Sequence, residues 1–212
     1  VSPWIAPIIH PASVLRGGWA SAPQQVTYLT RVVDYVKGKR EAPTATIVEP
    51  PPFTSLWPSL DTLKEFDEQI HQWDMLSVDI EAAGDFITLL GITCMSLARE
   101  EIGPTLSLPF KMKNGEDYWR TWGEHYEAVG YLYRWLADPS LGMVFHNGIS
   151  FDIPMLEDAG FEFNGRILDT MVMQHYCYPE MRKGLQFCTT LYNWTPCWKL
   201  LTDADDEEEG KS

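Results

Sequence analysis

A chain of 212 residues can hold one domain with a sizeable core, and its 45% hydrophobic content, with nine Trp, nine Phe and nine Tyr, supplies the material for one. Sixteen Lys and Arg against 30 Asp and Glu give a formal charge of −14, which argues against a passive nucleic-acid clamp built on a basic surface. No signal peptide opens the sequence and no apolar run is long enough to span a bilayer, so no membrane partner is expected.

Residues 1–42 read as a separate N-terminal segment. Its second half, APQQVTYLTRVVDYVKGKR, predicts a helix with Pro23 in the first turn and Val26, Leu29, Val32, Val33 and Val36 at helical spacing. Five prolines then fall between residues 41 and 60. That density resists helix and central strand alike, so 43–58 is expected to be a linker or an extended surface crossing. From Ser59 the pattern becomes regular and a domain over 59–202 is expected. Ser59 is placed to cap a helix whose Leu60, Leu63, Phe66 and Ile70 share a face. Met75 to Glu81 predicts a first strand, and Gly84-Asp85 a turn into a second, antiparallel one, FITLLGITCMSL. TLSLPF is a third strand. A helix over 116–137 is expected to carry Trp119, Tyr126, Val129, Leu132, Tyr133 and Leu136 as its apolar stripe. GMVFHN gives a fourth strand, FDIPMLEDAG a helix ended by Gly160, and GRILDT a short fifth strand. A hairpin meander followed by alternating helices and strands predicts an α/β fold with a mixed central sheet flanked by helices.

The terminal DADDEEE holds six of the acids and reads as a solvated tail or loop over 203–212. Cys94, Cys177, Cys188 and Cys197 form no Cys-x-x-Cys and no regular framework, a usage that suits unpaired thiols in a reducing cytoplasm. His175 and Cys177 could offer two zinc ligands, but no second pair at ligand spacing accompanies them. The chain begins at Val1 rather than Met, as an excerpt of a longer protein would.

The first strand raises a question of charge. A strand sends residues i and i+2 to one face, so Asp79 and Glu81 point one way while Val78 and Ile80 point the other. Two carboxylates that close raise each other's pKa and destabilise the fold unless a cation compensates or the strand end faces water. Asp152 opens the helix after the fourth strand, where it either caps the helix or joins the first two acids. Both acidic junctions follow apolar strands, and C-terminal strand ends are where open sheets place ligand sites.

SVDIE, VFHNGISFDIPML and RILDTMVMQHYCYPEMRKGLQF resemble, in that order, the motifs of ribonuclease-H-like 3'-5' exonucleases of the DEDD type, especially the proofreading domains of phage family A DNA polymerases. The resemblance covers about residues 73–200. It implies that Asp79, Glu81 and Asp152 are catalytic and hold two Mg²⁺ or Mn²⁺ ions, one lowering the pKa of an attacking water and the other steadying the leaving 3' oxygen. It places Asn147, Gly148 and Phe151 in the second motif and Asp169 at a supporting strand end. Asn147, Phe151 and Lys183 are the candidate substrate-binding residues, Phe151 by stacking on a terminal base and Lys183 at the backbone. The family's late Tyr-x-x-x-Asp or His-x-x-x-x-Asp is absent, so the fourth ligand and the last helices of the fold are expected beyond Ser212 or on another segment.

PIIHPASVLRG, with His10, is similar to the late His-Pro-x-x-x-Leu-Arg motif of uracil-DNA glycosylases, so 1–42 is expected to be a glycosylase-like remnant without the pocket needed to flip a base. The expected function is hydrolysis of 3'-terminal phosphodiester bonds in single-stranded DNA, in proofreading beside a polymerase domain in cis or trans, in the cytoplasm of a bacterium or phage-infected host. The alternatives are a non-catalytic nucleic-acid-binding domain with an incomplete metal site and an RNA 3'-5' exonuclease.

Overall fold

The computed structural model describes residues 22–39 and 53–193. His10 with its glycosylase-like motif, Cys197 and the acidic run 203–212 lie outside the described residues. The backbone falls into two compact units, Val48–Thr170 and Val1–Ile47 together with Met171–Ser212. In chain order the helices are α1 (Ala22–Val36), α2 (Leu60–Ile70), α3 (Trp122–Ala137), α4 (Asp152–Asp158), α5 (Thr170–Cys177) and α6 (Leu185–Asn193). The strands are β1 (Thr54–Ser55), β2 (Met75–Ala83), β3 (Phe86–Ser96), β4 (Glu101–Pro109), β5 (Gly142–Phe145) and β6 (Ile167–Asp169).

The unit Val48–Thr170 is built on one six-stranded sheet of order β1-β4-β3-β2-β5-β6. Strands β2, β3 and β4 run antiparallel as the expected meander, while β5 pairs parallel with β2 and β6 parallel with β5. This is the mixed α/β sheet that the order of elements predicts. The β2–β3 hairpin closes through Gly84 and Asp85, with Ala83 paired to Phe86. Gly84 has φ +62, the left-handed value that a primed two-residue loop requires at its first position and that glycine adopts without a Cβ penalty. Thr54–Ser55, inside the proline-rich stretch, forms a two-residue strand parallel to β4. An edge strand that short needs few donors, so proline neighbours do not prevent it.

Two helices close one face of the sheet. Ser59 caps α2 as expected, its hydroxyl accepting from the Thr62 N–H while Thr62 reaches back to the Ser59 N–H. Leu63, Phe66 and Ile70 are wholly buried, and the Phe66 and Trp135 rings lie 5.1 Å apart at their centroids. The Trp135 indole N–H donates to Asp67 Oδ1 at 2.6 Å, which satisfies a polar atom inside that helix pair. Helix α3 begins at Trp122, later than the sequence suggests, because Thr121 forms a capping box with Glu124. Its buried stripe is Ala128, Tyr131, Leu132, Trp135 and Leu136. Spacing predicts Tyr126 and Tyr133 in that stripe, but they are 70% and 43% exposed. Trp119 is buried before the helix starts, so it does not set the helical phase.

In the other unit, α1 forms where the periodicity predicts it but with an unexpected face. Val26, Leu29, Val33 and Val36 are exposed, whereas Gln25 and Arg31 are buried. Around α5 and α6, the buried Gln174 accepts from the Tyr192 hydroxyl at 2.6 Å and donates to the Arg182 carbonyl at 3.3 Å. None of the described helices is long and apolar enough to cross a membrane.

Candidate active site

The alternation read from β2 holds residue by residue: Val78 and Ile80 are buried, while Asp79 and Glu81 are exposed on the opposite face. Immediately beyond Glu81 the ladder slips, because Glu81 faces Leu89 whereas Ala82 faces Ile87, leaving Thr88 unpaired in register. The Thr88 hydroxyl donates to the Glu81 carbonyl at 3.0 Å, and the Thr88 carbonyl accepts from the N–H groups of Phe110 and Lys111. A bulge of this kind bends the strand and turns its side chains locally. It gives the Asp-x-Glu pair a defined end.

Strands β2, β5 and β6 are mutually parallel, so their C-terminal ends lie at the same end of the sheet. From β5 the chain turns through His146 and Asn147 into a single 3₁₀ turn, Gly148–Ser150, and then into α4. Asp152 is the first residue of α4 and is only 4% exposed. Its Oδ1 accepts from the N–H of Ile80 at 3.1 Å, which ties the second motif to the peptide between the two carboxylates of the first. The acid therefore does more than begin a helix.

Asp169 ends β6, is 5% exposed, and uses both oxygens on the β5–α4 turn. Oδ1 accepts from the Asn147 N–H at 3.1 Å and Oδ2 from the Ile149 N–H at 3.2 Å. These bonds hold Asn147 at φ +69, a left-handed conformation that Asn tolerates better than most residues. Thr170 adds a second tether: its Oγ1 lies 2.8 Å from His146 Nδ1 and donates to the Phe145 carbonyl at 3.1 Å. With its one proton committed to the carbonyl, the hydroxyl accepts from Nδ1–H, which assigns the tautomer of His146.

Gly148 is required for a different reason. A Cβ there would lie 2.3 Å from Cβ of Phe145, a buried side chain, and 2.5 Å from its Cγ. Gly148→Ala is expected to lower stability by about 1–3 kcal/mol, the usual range for overpacking. Thermal melts of the purified variant measure it, and an unchanged melting temperature would show that the turn relaxes freely.

Two of the three acids, Asp79 and Asp152, hold their protons more tightly than a free carboxyl. Partial desolvation by the surrounding protein pushes the carboxyl of the solvent-exposed Asp79 up, the charge of Asp152 pushes it further, and His146 partly opposes both. Asp152 is also raised, first by burial and then by the charges of Asp169 and Glu81, against the lowering effect of its bond from Ile80. Among the described residues, no three His, Cys, Asp or Glu side chains form a ready-made cage for one ion. The donor chemistry nonetheless fits a hard divalent cation, because three carboxylates supply oxygen and an added positive charge would oppose the upward shifts of Asp79 and Asp152. Asp79, Glu81 and Asp152 are the residues that would hold it.

A family model described as 3'-5' exonuclease matches residues 58–197. The chain belongs to this family. No curated protein matches it. Among solved structures, RNase D of Escherichia coli shares 16% identity with this exonuclease-family chain at a TM-score of 0.44, over 66% of this chain and 32% of that one. The catalytic core of RRP6 from Trypanosoma brucei shares 17% at 0.49, over 74% and 38%. Brucella melitensis NrnC with bound Mg²⁺ shares 17% at 0.42, over 66% and 58%. The exonuclease-family chain thus spans less than two thirds of the length of each.

The remaining candidates divide. Phe151, next to Asp152, is 47% exposed and lines an open groove. Asn147 contributes its backbone N–H to the turn that carries the site. Lys183 belongs to the other unit, where its Nζ donates to the carbonyls of Pro179 and Met181 at 3.0 and 3.2 Å, so its ammonium is engaged by its own chain. Thr170 was not singled out in the sequence. A threonine following Leu-Asp at a strand end was its one signal, and only the pairing of β6 with β5 brings it to His146.

Proposed function

We propose that this exonuclease-family chain hydrolyses 3'-terminal phosphodiester bonds of single-stranded DNA, with Asp79, Glu81 and Asp152 holding Mg²⁺ or Mn²⁺, as two ions. The observation that carries the reading is the bond from the Ile80 N–H to Asp152 Oδ1, since it links the acids of two distant motifs. Bound divalent metal supplies Lewis-acid polarisation and lowers the pKa of an attacking water at neutral pH. The chain's own groups do the rest. Asp169 fixes the turn that leads to Asp152, the Thr170 hydroxyl orients the His146 ring, and the exposed Phe151 ring offers a face for the terminal base.

A role in proofreading, with a polymerase domain in cis or trans, rests on the motif resemblance to phage family A polymerases. A cytoplasmic setting in a bacterium or phage-infected host suits the three described cysteines, which are unpaired. The test is hydrolysis of 5'-labelled single-stranded DNA and RNA of one sequence, with Mg²⁺ and with EDTA. The expected result is stepwise shortening of the DNA from its 3' end in Mg²⁺ and none in EDTA. Shortening of RNA alone would reassign the substrate to RNA. Binding of either strand with no hydrolysis in Mg²⁺ or Mn²⁺ would favour the non-catalytic reading.

A further inference from the structure

A groove of about 1210 Å³ opens on the unit Val48–Thr170, between the β2–β3 turn, the 110–122 loop, the first turn of α3 and helix α4. Its walls present large aromatic side chains to solvent: Phe86 is 73% exposed and Trp122 76%, with Phe151 at the end next to Asp152. Tyr126, one turn along α3, is 70% exposed and extends this surface, its ring centroid 6.2 Å from that of Trp122 at an interplanar angle of 38°. Single exposed aromatics need no explanation, but several on one groove mark a binding surface.

The charge of the groove limits what it can bind by. Lys111 lines it, but its Nζ pairs with Asp117 at 2.6 Å. Asp85, Asp117 and Asp158 line it as well, against Arg120 as the other basic side chain. Phosphate neutralisation by protein cations is therefore weak here, and the rings are what remains. Aromatic faces bind any base, provided that the base is unstacked from its partner.

We infer that this groove is a base-stacking track for single-stranded nucleic acid, in which Trp122, Phe86 and Tyr126 hold nucleotides 5' of the residue at the carboxylates. This inference rests on the exonuclease reading for its direction. The occupant follows from continuity: Phe151 both lines the groove and immediately precedes Asp152, while the Gly84–Phe86 wall follows Glu81 along the same hairpin. A strand with its 3' end at the acids has this groove as its adjoining outlet.

Binding is read in EDTA, with hydrolysis stopped, by fluorescence anisotropy of a labelled oligothymidylate of about eight nucleotides on the full chain. A matched oligomer of abasic residues keeps the phosphates and lacks the bases. The inference expects the abasic oligomer to bind about tenfold or more weakly, and Trp122→Ala and Phe86→Ala each to weaken oligothymidylate binding by about tenfold, within the range for loss of one stacking partner. Both side chains are largely exposed, so the variants should fold, and circular dichroism with a thermal melt verifies it. Tyr133→Ala, on α3 but away from the lining, should bind as the parent does. The affinity should also fall only weakly with added salt, because few protein cations replace counterions. Equal binding of the abasic and intact oligomers, or parental affinity in both groove variants, overturns the inference. So does a parent chain that dimerises through the groove, with Trp122→Ala dissolving the dimer and sparing oligonucleotide affinity. A chain that binds through these rings yet hydrolyses nothing keeps the groove and loses the catalytic reading; one that hydrolyses while the variants bind normally does the reverse.

Discussion

Asp152→Asn is expected to lose hydrolysis by about a hundredfold or more, since even groups that only orient a metal ligand are worth about 10- to 100-fold. The same substitution should leave the chain as stable as the parent, or more so, in EDTA near pH 8. Asparagine keeps an oxygen to accept from the Ile80 N–H and removes a buried charge that faces Glu81 and Asp169. Asp152 holds its proton more tightly in the folded chain than in the unfolded one, so its ionisation opposes folding. The stability difference in favour of the variant is thus full above the raised folded-state pKa. It shrinks as pH falls and is gone below the ordinary 3.8 of the unfolded side chain. Adding Mg²⁺ should stabilise the parent and not the variant, because a ligand that binds only the folded state raises its melting temperature. Asp79→Ala should likewise abolish cleavage and leave the fold intact, as its side chain is exposed. Undiminished hydrolysis in either variant, or equal Mg²⁺ stabilisation of parent and Asp152→Asn, would remove these acids from the site.

Asp169→Ala acts through the fold first. It strips two backbone N–H groups, those of Asn147 and Ile149, of their acceptor in a half-buried turn. Each orphaned donor is worth about 1–3 kcal/mol when water cannot reach it, and partial hydration of this turn puts the pair near the low end, at about 2 kcal/mol together. For a chain of this size that is a drop of about 4–8 °C in melting temperature. Activity should fall by about 10- to 100-fold, because the turn sets where α4 begins and hence where Asp152 stands. Asp169→Asn retains one acceptor oxygen and should lose about half of that stability. The relief of repulsion between Asp169 and Asp152 works in the opposite direction, so a variant that melts above the parent would mean that charge, and not the turn, dominates at this position.

Sequence alone determined the parts of this protein that depend on neighbours along the chain. The alternation of Asp79 and Glu81 against Val78 and Ile80 follows from the period of a strand, the start of α2 follows from Ser59, and the hairpin follows from Gly84-Asp85. The three motifs and their order likewise lie in the sequence, and they name the family before any coordinate does. Periodicity failed where a helix offers two apolar stripes, as in α3, whose phase is set by the Thr121 cap and by Phe66 packing against Trp135. It failed again in α1, which buries Gln25 and Arg31 in place of its valines.

Only the tertiary structure decided which partners the acids have. The bond from Ile80 to Asp152 spans 72 residues, and the two from Asp169 reach back 22 and 20. No local rule encodes such contacts, because they exist only once β2, β5 and β6 lie parallel and bring their C-terminal ends to the same end of the sheet. The aromatic groove is of the same kind: Phe86, Trp122 and Phe151 are ordinary hydrophobic residues in the sequence, and exposure on a shared wall is a property of the folded surface.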